Sequence, residues 1–232
     1  MRIVIVGASL GLGRALLDGL RADGHEVTGV SRRAPVDSDA AWIEADFSRP
    51  NEAAARLARD CPPEIDVLIW NLGVWEPDAF SDSYDYLAQS AATTEALVAL
   101  NVTGPLLTIQ TLLPRILRAD HRKIILTGST SALARSGRPE VAFGATKSAL
   151  NGLADALREG FRAHRLAVTT LQLGNLNTED GLDVPRARAA ARGAGTLIPV
   201  HDVVDTVRHT LALSGSAYIR EIVMPAILDE RF

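Results

Sequence analysis

Phe143 and Lys147 stand one helical turn apart in the stretch EVAFGATKSAL, residues 140–150. A lysine in that place suits the tuning of a phenol, because a nearby positive charge favours the phenolate. Phe143 has no phenol, and a phenyl ring can neither donate, accept nor carry a proton. A second chemical signal lies near the start of the chain. Gly7, Gly11 and Gly13 in GASLGLG follow an apolar run and open a helical one, the setting a phosphate-binding loop requires. Glycines let the backbone approach a pyrophosphate, and a helix N-terminus supplies free N–H groups and a favourable dipole. The candidate contacts are Gly7, Ser9, Leu10, Gly11, Leu12 and Gly13. The spacing is Gly-x-x-x-Gly-x-Gly rather than Gly-x-Gly-x-x-Gly. A tight strand-to-helix turn without a ligand is the plainer alternative.

The next apolar run ends in GVSRRAP. NAD binders commonly place an acid about 20 residues after the glycines to grip the ribose 2′-hydroxyl. Ser31 stands at that place here, and Arg32 and Arg33 follow. An arginine holds a 2′-phosphate through charge-assisted hydrogen bonds, so NADP(H) is expected over NAD(H). The alternative is a pair of solvated arginines. Asp46, followed by Phe47, ends a third run and either meets the adenine or caps the turn before SRP.

Short β-branched runs alternate with longer helical periods. RIVIVGA, HEVTGVS, WIEADF, IDVLIWNLG, RKIILTGS, LAVTTLQLG and YIREIVMP are the seven strand candidates. GRALLDGLRADG, PNEAAARLARD, residues 84–118, residues 141–164 and HDVVDTVRHTLALS read as helical. The 84–118 region is expected to break near Gly104–Pro105, and residues 178–200 to form a loop or short helices. This alternation predicts an α/β fold: a doubly wound parallel sheet of about seven strands with helices on both faces, in a single domain over 1–232. Ligands then bind at the carboxyl ends of the strands.

Composition narrows the function classes. The 232 residues are 47% hydrophobic and 22% charged, with a net charge of −4, so neither nucleic acid nor an anionic membrane is an expected partner. The single cysteine, Cys61, allows no intrachain disulfide and no thiolate metal cluster. No metal is expected, and a reducing, cytoplasmic setting fits. No apolar run is read as a membrane span, and MRIVIVGAS reads as a buried strand rather than a signal peptide.

Taken in order, these residues resemble the short-chain dehydrogenase/reductase family over nearly the whole chain, and imply its Rossmann-type fold. Gly7, Gly11 and Gly13 match the family's cofactor loop. Asn71, Leu72 and Gly73 look like its Asn-Ala-Gly turn beside the adenosine. Asn101 in NVTG matches its tetrad asparagine, whose backbone anchors a water in the proton relay. Ser129 in GSTSA falls where the family keeps an active serine, with Thr130 as the alternative by residue count. FGATK occupies the Tyr-x-x-x-Lys position. Gly174, Leu176 and Thr178 in LGNLNT resemble the loop that touches the nicotinamide, with Leu173 in place of a proline. The resemblance implies that serine polarises a carbonyl, tyrosine passes a proton as hydride moves, and Lys147 holds the nicotinamide ribose. The implied substrate is a small carbonyl or alcohol.

Phe143 departs from that pattern. Three readings stand open: an engineered Tyr-to-Phe variant, a natural protein whose proton comes from elsewhere or whose reaction is not carbonyl reduction, and an NADP-binding partner without turnover. Glu140, Tyr84, Tyr86, Tyr218 and His201 offer no assignable substitute. Residues 178–200 are the expected lid, and Arg186, Arg188 and Arg192 read as its solvated face rather than an anion trap. Trp75 either lines the pocket or packs on a neighbouring loop. The family resemblance also implies a homodimer or homotetramer through helices 84–118 and 143–164. The stripe Leu150, Leu153, Ala154 and Leu157 serves either that contact or packing on the sheet.

Overall fold

The computed structural model describes residues 1–136 and 138–230. Its strands are β1 (Arg2–Val6), β2 (Glu26–Ser31), β3 (Ala41–Glu44), β4 (Val67–Trp70), β5 (Lys123–Thr127), β6 (Ala167–Leu173), β7 (Leu176–Asn177), β8 (Ile198–Pro199) and β9 (Glu221–Met224). Its helices are α1 (Gly11–Ala22), α2 (Pro50–Asp60), α3 (Ala91–Val98), α4 (Gly104–Ile116), α5 (Val141–Gly160), α6 (Arg186–Ala191) and α7 (Val200–Ala212). Seven strands, each read from the sequence, form one parallel sheet in the order β3-β2-β1-β4-β5-β6-β9. The strand order reverses between β1 and β4, which opens a crevice at their carboxyl ends.

Alternation along the strands divides the core between the two faces. Val4, Val6, Leu68, Trp70, Ile124, Leu126 and Val168 face α2, α4 and α5 with Leu57, Leu112 and Leu157. Ile3, Ile5, Ile69, Ile125 and Leu171 face α1 and α7 with Leu16, Leu20 and Val204. A strand buried on both faces has to be apolar at every position, which is why VLIW and IVIV read as continuous runs. Cys61 is buried in the first cluster, and burial pushes its thiol up to about 12, which leaves it inert.

Two expectations change here. The helix does not break at Gly104–Pro105. It runs from Ala91 to Ile116 through a π-helical turn at Ala99–Thr103, because the wider turn absorbs the proline without ending the helix. This 26-residue helix holds an 18-residue stretch of mean hydropathy 1.6 and is long and apolar enough to cross a membrane by length and composition, contrary to the expectation of no such run. Its Ile109, Leu112, Leu113 and Ile116 are instead packed in the core. In the stripe on α5, Leu150, Ala154 and Leu157 are buried against the sheet, and Leu153 is half-buried beside them. The short ladder of β7 with β8 was not foreseen; it pins both ends of the 178–200 segment together.

Candidate active site

The β1–α1 turn is built by close backbone contact. Gly7 has φ of 85°, and its N–H donates to Val30 O at 2.8 Å. A Cβ on Gly13 would lie 1.9 Å from Gly7 O, so no side chain fits there. Among the described residues no side chain caps the first N–H groups of α1, and Leu10 before them is 81% exposed. Those N–H groups and the helix dipole are open to an anion. Thr178 packs over this loop, its Cβ 3.1 Å from where a Gly11 Cβ would stand. Asn71 ties the turn to the sheet: its Nδ2 donates to Gly7 O at 3.2 Å and its Oδ1 accepts from Thr127 Oγ1 at 3.2 Å. Leu72 packs on Gly7.

Arg32 and Arg33 are exposed at the end of β2 and form no ion pair with the described residues. Ser31 donates its hydroxyl to Arg33 O at 2.7 Å and accepts from Trp42 Nε1 at 3.2 Å. Asp46 caps its turn by accepting from Ser48 N at 3.0 Å. That hydrogen bond, helped by Arg49 and Arg32, holds its carboxyl below the usual range. Two side chains fall outside the expected cofactor surface. Leu12 is buried in the core, and Phe47 is buried edge-to-face on Trp70 at 5.1 Å. Only their main chains remain for a ligand, because both side chains point inward to fill the two core faces.

At the other side of the crevice α5 brings Phe143 and Lys147 to one face. Both are 5% exposed. Lys147 Nζ donates to Thr127 O at 2.9 Å, stands 5.7 Å from the Phe143 ring centroid, and lies 2.9 Å from the position of a Cβ on Gly73. Burial pushes its ammonium down to about 8. Asn101, on the π turn, accepts from Val74 N at 2.9 Å and donates to Val74 O at 2.7 Å and Thr146 Oγ1 at 3.0 Å. Its side chain thus locks the loop after β4 to α5. Lys147 and Asn101 meet at Gly73.

The surroundings of Phe143 were not legible beforehand. Its ring packs edge-to-face with Phe80 at 5.3 Å and Trp75 at 6.4 Å. Glu76, 1% exposed, caps the helix: its Oε1 accepts from Ala142 N at 2.8 Å, Phe143 N at 3.1 Å and Tyr84 OH at 3.1 Å. Tyr84 OH in turn accepts from Val141 N at 2.9 Å. Three orphan N–H groups of α5 are therefore satisfied by one loop. Burial, with the charge of Glu76, raises the Tyr84 phenol. Glu140 is buried and accepts from Phe80 N at 3.1 Å, holding a left-handed Phe80 of φ 67°. Tyr84 and Glu140 thus stand beside Phe143, while Tyr86 and Tyr218 are exposed and His201 is bonded to Val184 O at 2.9 Å.

After β5, Ser129 N donates to Gln172 Oε1 at 3.0 Å, and Ser129 Oγ accepts from Ser131 N at 3.1 Å. The serine caps its turn and still has a hydroxyl proton to donate. Thr130 Oγ1 accepts from Arg138 Nη2 at 3.4 Å. Gly174 N donates to Met224 O at 2.9 Å, and the half-buried Leu176 packs into the core below. Within residues 178–200, Arg186 pairs with Asp205 of α7 and Arg192 with Asp180 at 2.6 Å, so both brace the segment. Arg192 and Asn177 hold the Asp180 carboxyl down to about 2.

A family model described as short chain dehydrogenase matches residues 1–185. The chain is 30% identical over 210 residues to the Short chain dehydrogenase ausX of Aspergillus calidoustus, covering 84% of this chain and 78% of that one. It is 23% identical over 232 residues to the 3-oxoacyl-(acyl-carrier-protein) reductase MabA of Mycobacterium bovis, covering 96% and 90%. Among solved structures, it resembles an alcohol dehydrogenase from the archaeon Thermococcus sibiricus complexed with 5-hydroxy-NADP, with a TM-score of 0.80 at 19% identity over 100% and 98% of the two chains. A metagenomic short-chain oxidoreductase in complex with NADP matches with a TM-score of 0.75 at 24% identity over 97% and 96%.

Proposed function

Because the chain belongs to the short chain dehydrogenase family of oxidoreductases, we propose that it binds NADP(H) and exchanges hydride with a carbonyl or alcohol substrate without a tyrosine proton donor. The observation that carries this reading is the meeting of Lys147, Asn101 and Gly73 beside the Ser129 turn, across the crevice from the uncapped start of α1. The glycine cradle, which a Cβ would fill, fits a pyrophosphate. Arg32 and Arg33, exposed and without ion-pair partners among the described residues, fit a 2′-phosphate.

When bound, the dinucleotide supplies hydride chemistry at its nicotinamide. Lys147 then holds the ribose with its ammonium, and Asn101 keeps the loop after β4 in register with α5. Ser129 donates its hydroxyl to the substrate carbonyl oxygen and stabilises charge developing there. Phe143 contributes no proton, so the product alkoxide takes one from water. Phe80 and Trp75 pack edge-to-face on the Phe143 ring and form one wall of the substrate side. A shallow apolar groove of about 160 Å³ between α4 and α5, lined by Val102, Leu106, Leu150 and Leu153, fits a second copy of the chain in a homo-oligomer.

Thermal denaturation with NADPH and with NADH tests the cofactor half. NADPH is expected to raise the midpoint more than NADH at equal concentration. No shift with either would remove this reading and the alternative of an NADP-binding partner without turnover.

A further inference from the structure

A buried ion pair on the substrate side takes no part in the chemistry above. Arg138 Nη2 is paired with Asp229 Oδ2, and the two side chains are 7% and 5% exposed. The pair sits between the two loops that must flank a substrate. On one side Arg138 Nη2 also donates to Thr130 Oγ1, the residue next to Ser129. On the other, Asp229 Oδ2 lies 3.3 Å from the position of a Cβ on Gly174, in the loop assigned to the nicotinamide. The segment carrying Asp229 is docked on the lid, with Leu228 N donating to Gly195 O at 2.9 Å.

The guanidinium is not used up by these contacts. Asp229 and Thr130 both bind at Nη2, while Arg138 Nε is buried with no hydrogen-bond partner among the described residues. A carboxylate recognised by arginine prefers two parallel bonds, and the fork here engages its internal acid through one nitrogen. A buried donor left unsatisfied is costly and marks a place where a ligand or water completes the set.

We propose that Arg138 is a carboxylate-recognition residue of the substrate pocket, and that Asp229 is an internal carboxylate occupying it until a substrate carboxylate takes its place. This rests on the oxidoreductase reading and narrows its substrate class to carbonyl or hydroxy compounds that carry a carboxylate. The exchange is electrostatically even, one carboxylate for another, so no unpaired buried charge is created at Arg138. Asp229 then swings out with the segment that touches the lid, which couples substrate entry to lid movement.

The test uses the full chain saturated with NADP+, which cannot reduce the probe. Acetoacetate and its neutral methyl ester are titrated calorimetrically into the unmodified protein, Asp229→Asn and Arg138→Gln. Asp229→Asn is expected to bind acetoacetate about tenfold or more tighter than the unmodified protein, with the ester unchanged. Arg138→Gln is expected to lose the preference for acid over ester. Should either single variant fail to fold, the Arg138→Met/Asp229→Leu pair, which replaces the ion pair by apolar groups, is expected to fold and show no preference. Equal binding of acid and ester by Asp229→Asn overturns the proposal, as does a preference that survives in Arg138→Gln or in the apolar pair. Inorganic phosphate displacing acetoacetate with equal affinity would show a generic anion site and overturn the carboxylate assignment. NADP+ binding is read in the same samples, so its absence counts against the oxidoreductase reading rather than against Arg138.

Discussion

The cofactor end of the crevice and the end around Phe143 are held by different kinds of interaction. At the cofactor end the main chain does the positioning: Gly7 and Gly13 bring α1 against β1, and Asn71 clamps the turn from β4. At the other end side chains do it. Glu76, Tyr84, Glu140 and Asn101 tie the loop after β4 to α5, and Phe80 and Trp75 close over Phe143. A cofactor common to many substrates suits a fixed backbone cradle. A wall built from side chains can be rebuilt residue by residue, and Phe143 stands at that wall, whereas the cradle is set by Gly7 and Gly13.

The sharpest way to break this contrast is Phe143→Tyr. Restoring the phenol beside Lys147 is expected to raise carbonyl-dependent NADPH oxidation about a hundred- to ten-thousand-fold, the usual worth of general acid–base catalysis. The rate is followed by loss of NADPH absorbance over a panel of carbonyl compounds. No rise with any of them would favour the partner without turnover.

Lys147→Met probes the buried ammonium. The folded-state value of about 8 lies below the ordinary 10.5, so between these values the unfolded chain binds more protons. Stability of the unmodified protein relative to Lys147→Met should therefore rise as pH increases from 8 to 10.5, by roughly 3 kcal/mol in all. Urea titrations of the cofactor-free proteins across that window measure it, and a flat difference would mean that the ammonium is solvated.

Glu76→Ala separates the two ends. Loss of its bonds to Ala142, Phe143 and Tyr84 is expected to lower unfolding stability by about 2–3 kcal/mol. NADPH affinity should stay within about twofold, because no atom of the glycine cradle is touched. A matching loss of NADPH affinity would merge the two regions into one cooperative unit. The smallest effect is expected from Arg32→Ala, which should weaken NADPH about tenfold, the worth of one charge-assisted contact, and leave NADH nearly unchanged. Equal effects on both dinucleotides would remove the assignment of Arg32 to the 2′-phosphate.

Local patterns made much of this legible. All seven sheet strands were visible as apolar runs, and Pro50–Asp60 was bounded by its proline and by its helical period. Gly7, Gly13, Asn71, Asn101 and Lys147 were found because their order along the chain follows the order of strand ends. Other contacts left no such trace. Glu76 reaches Phe143 across 67 positions, Tyr84 reaches Val141 across 57, and Arg138 reaches Asp229 across 91. No periodicity links residues so far apart. Leu12 and Phe47 sat in the right segments, but a segment's place does not say which way each side chain turns.

The sequence by itself determined the parallel sheet, the glycine turn at its first strand, and the missing oxygen at Phe143, because each follows from residue type and short-range spacing. Only the tertiary structure decided what surrounds that missing oxygen. The cap by Glu76 and Tyr84, the left-handed Phe80 held by Glu140, and the Arg138–Asp229 pair depend on loops that meet when the sheet is assembled. Their partners are chosen by three-dimensional proximity and by the cost of leaving buried polar groups unpaired, and neither is written in local order along the chain.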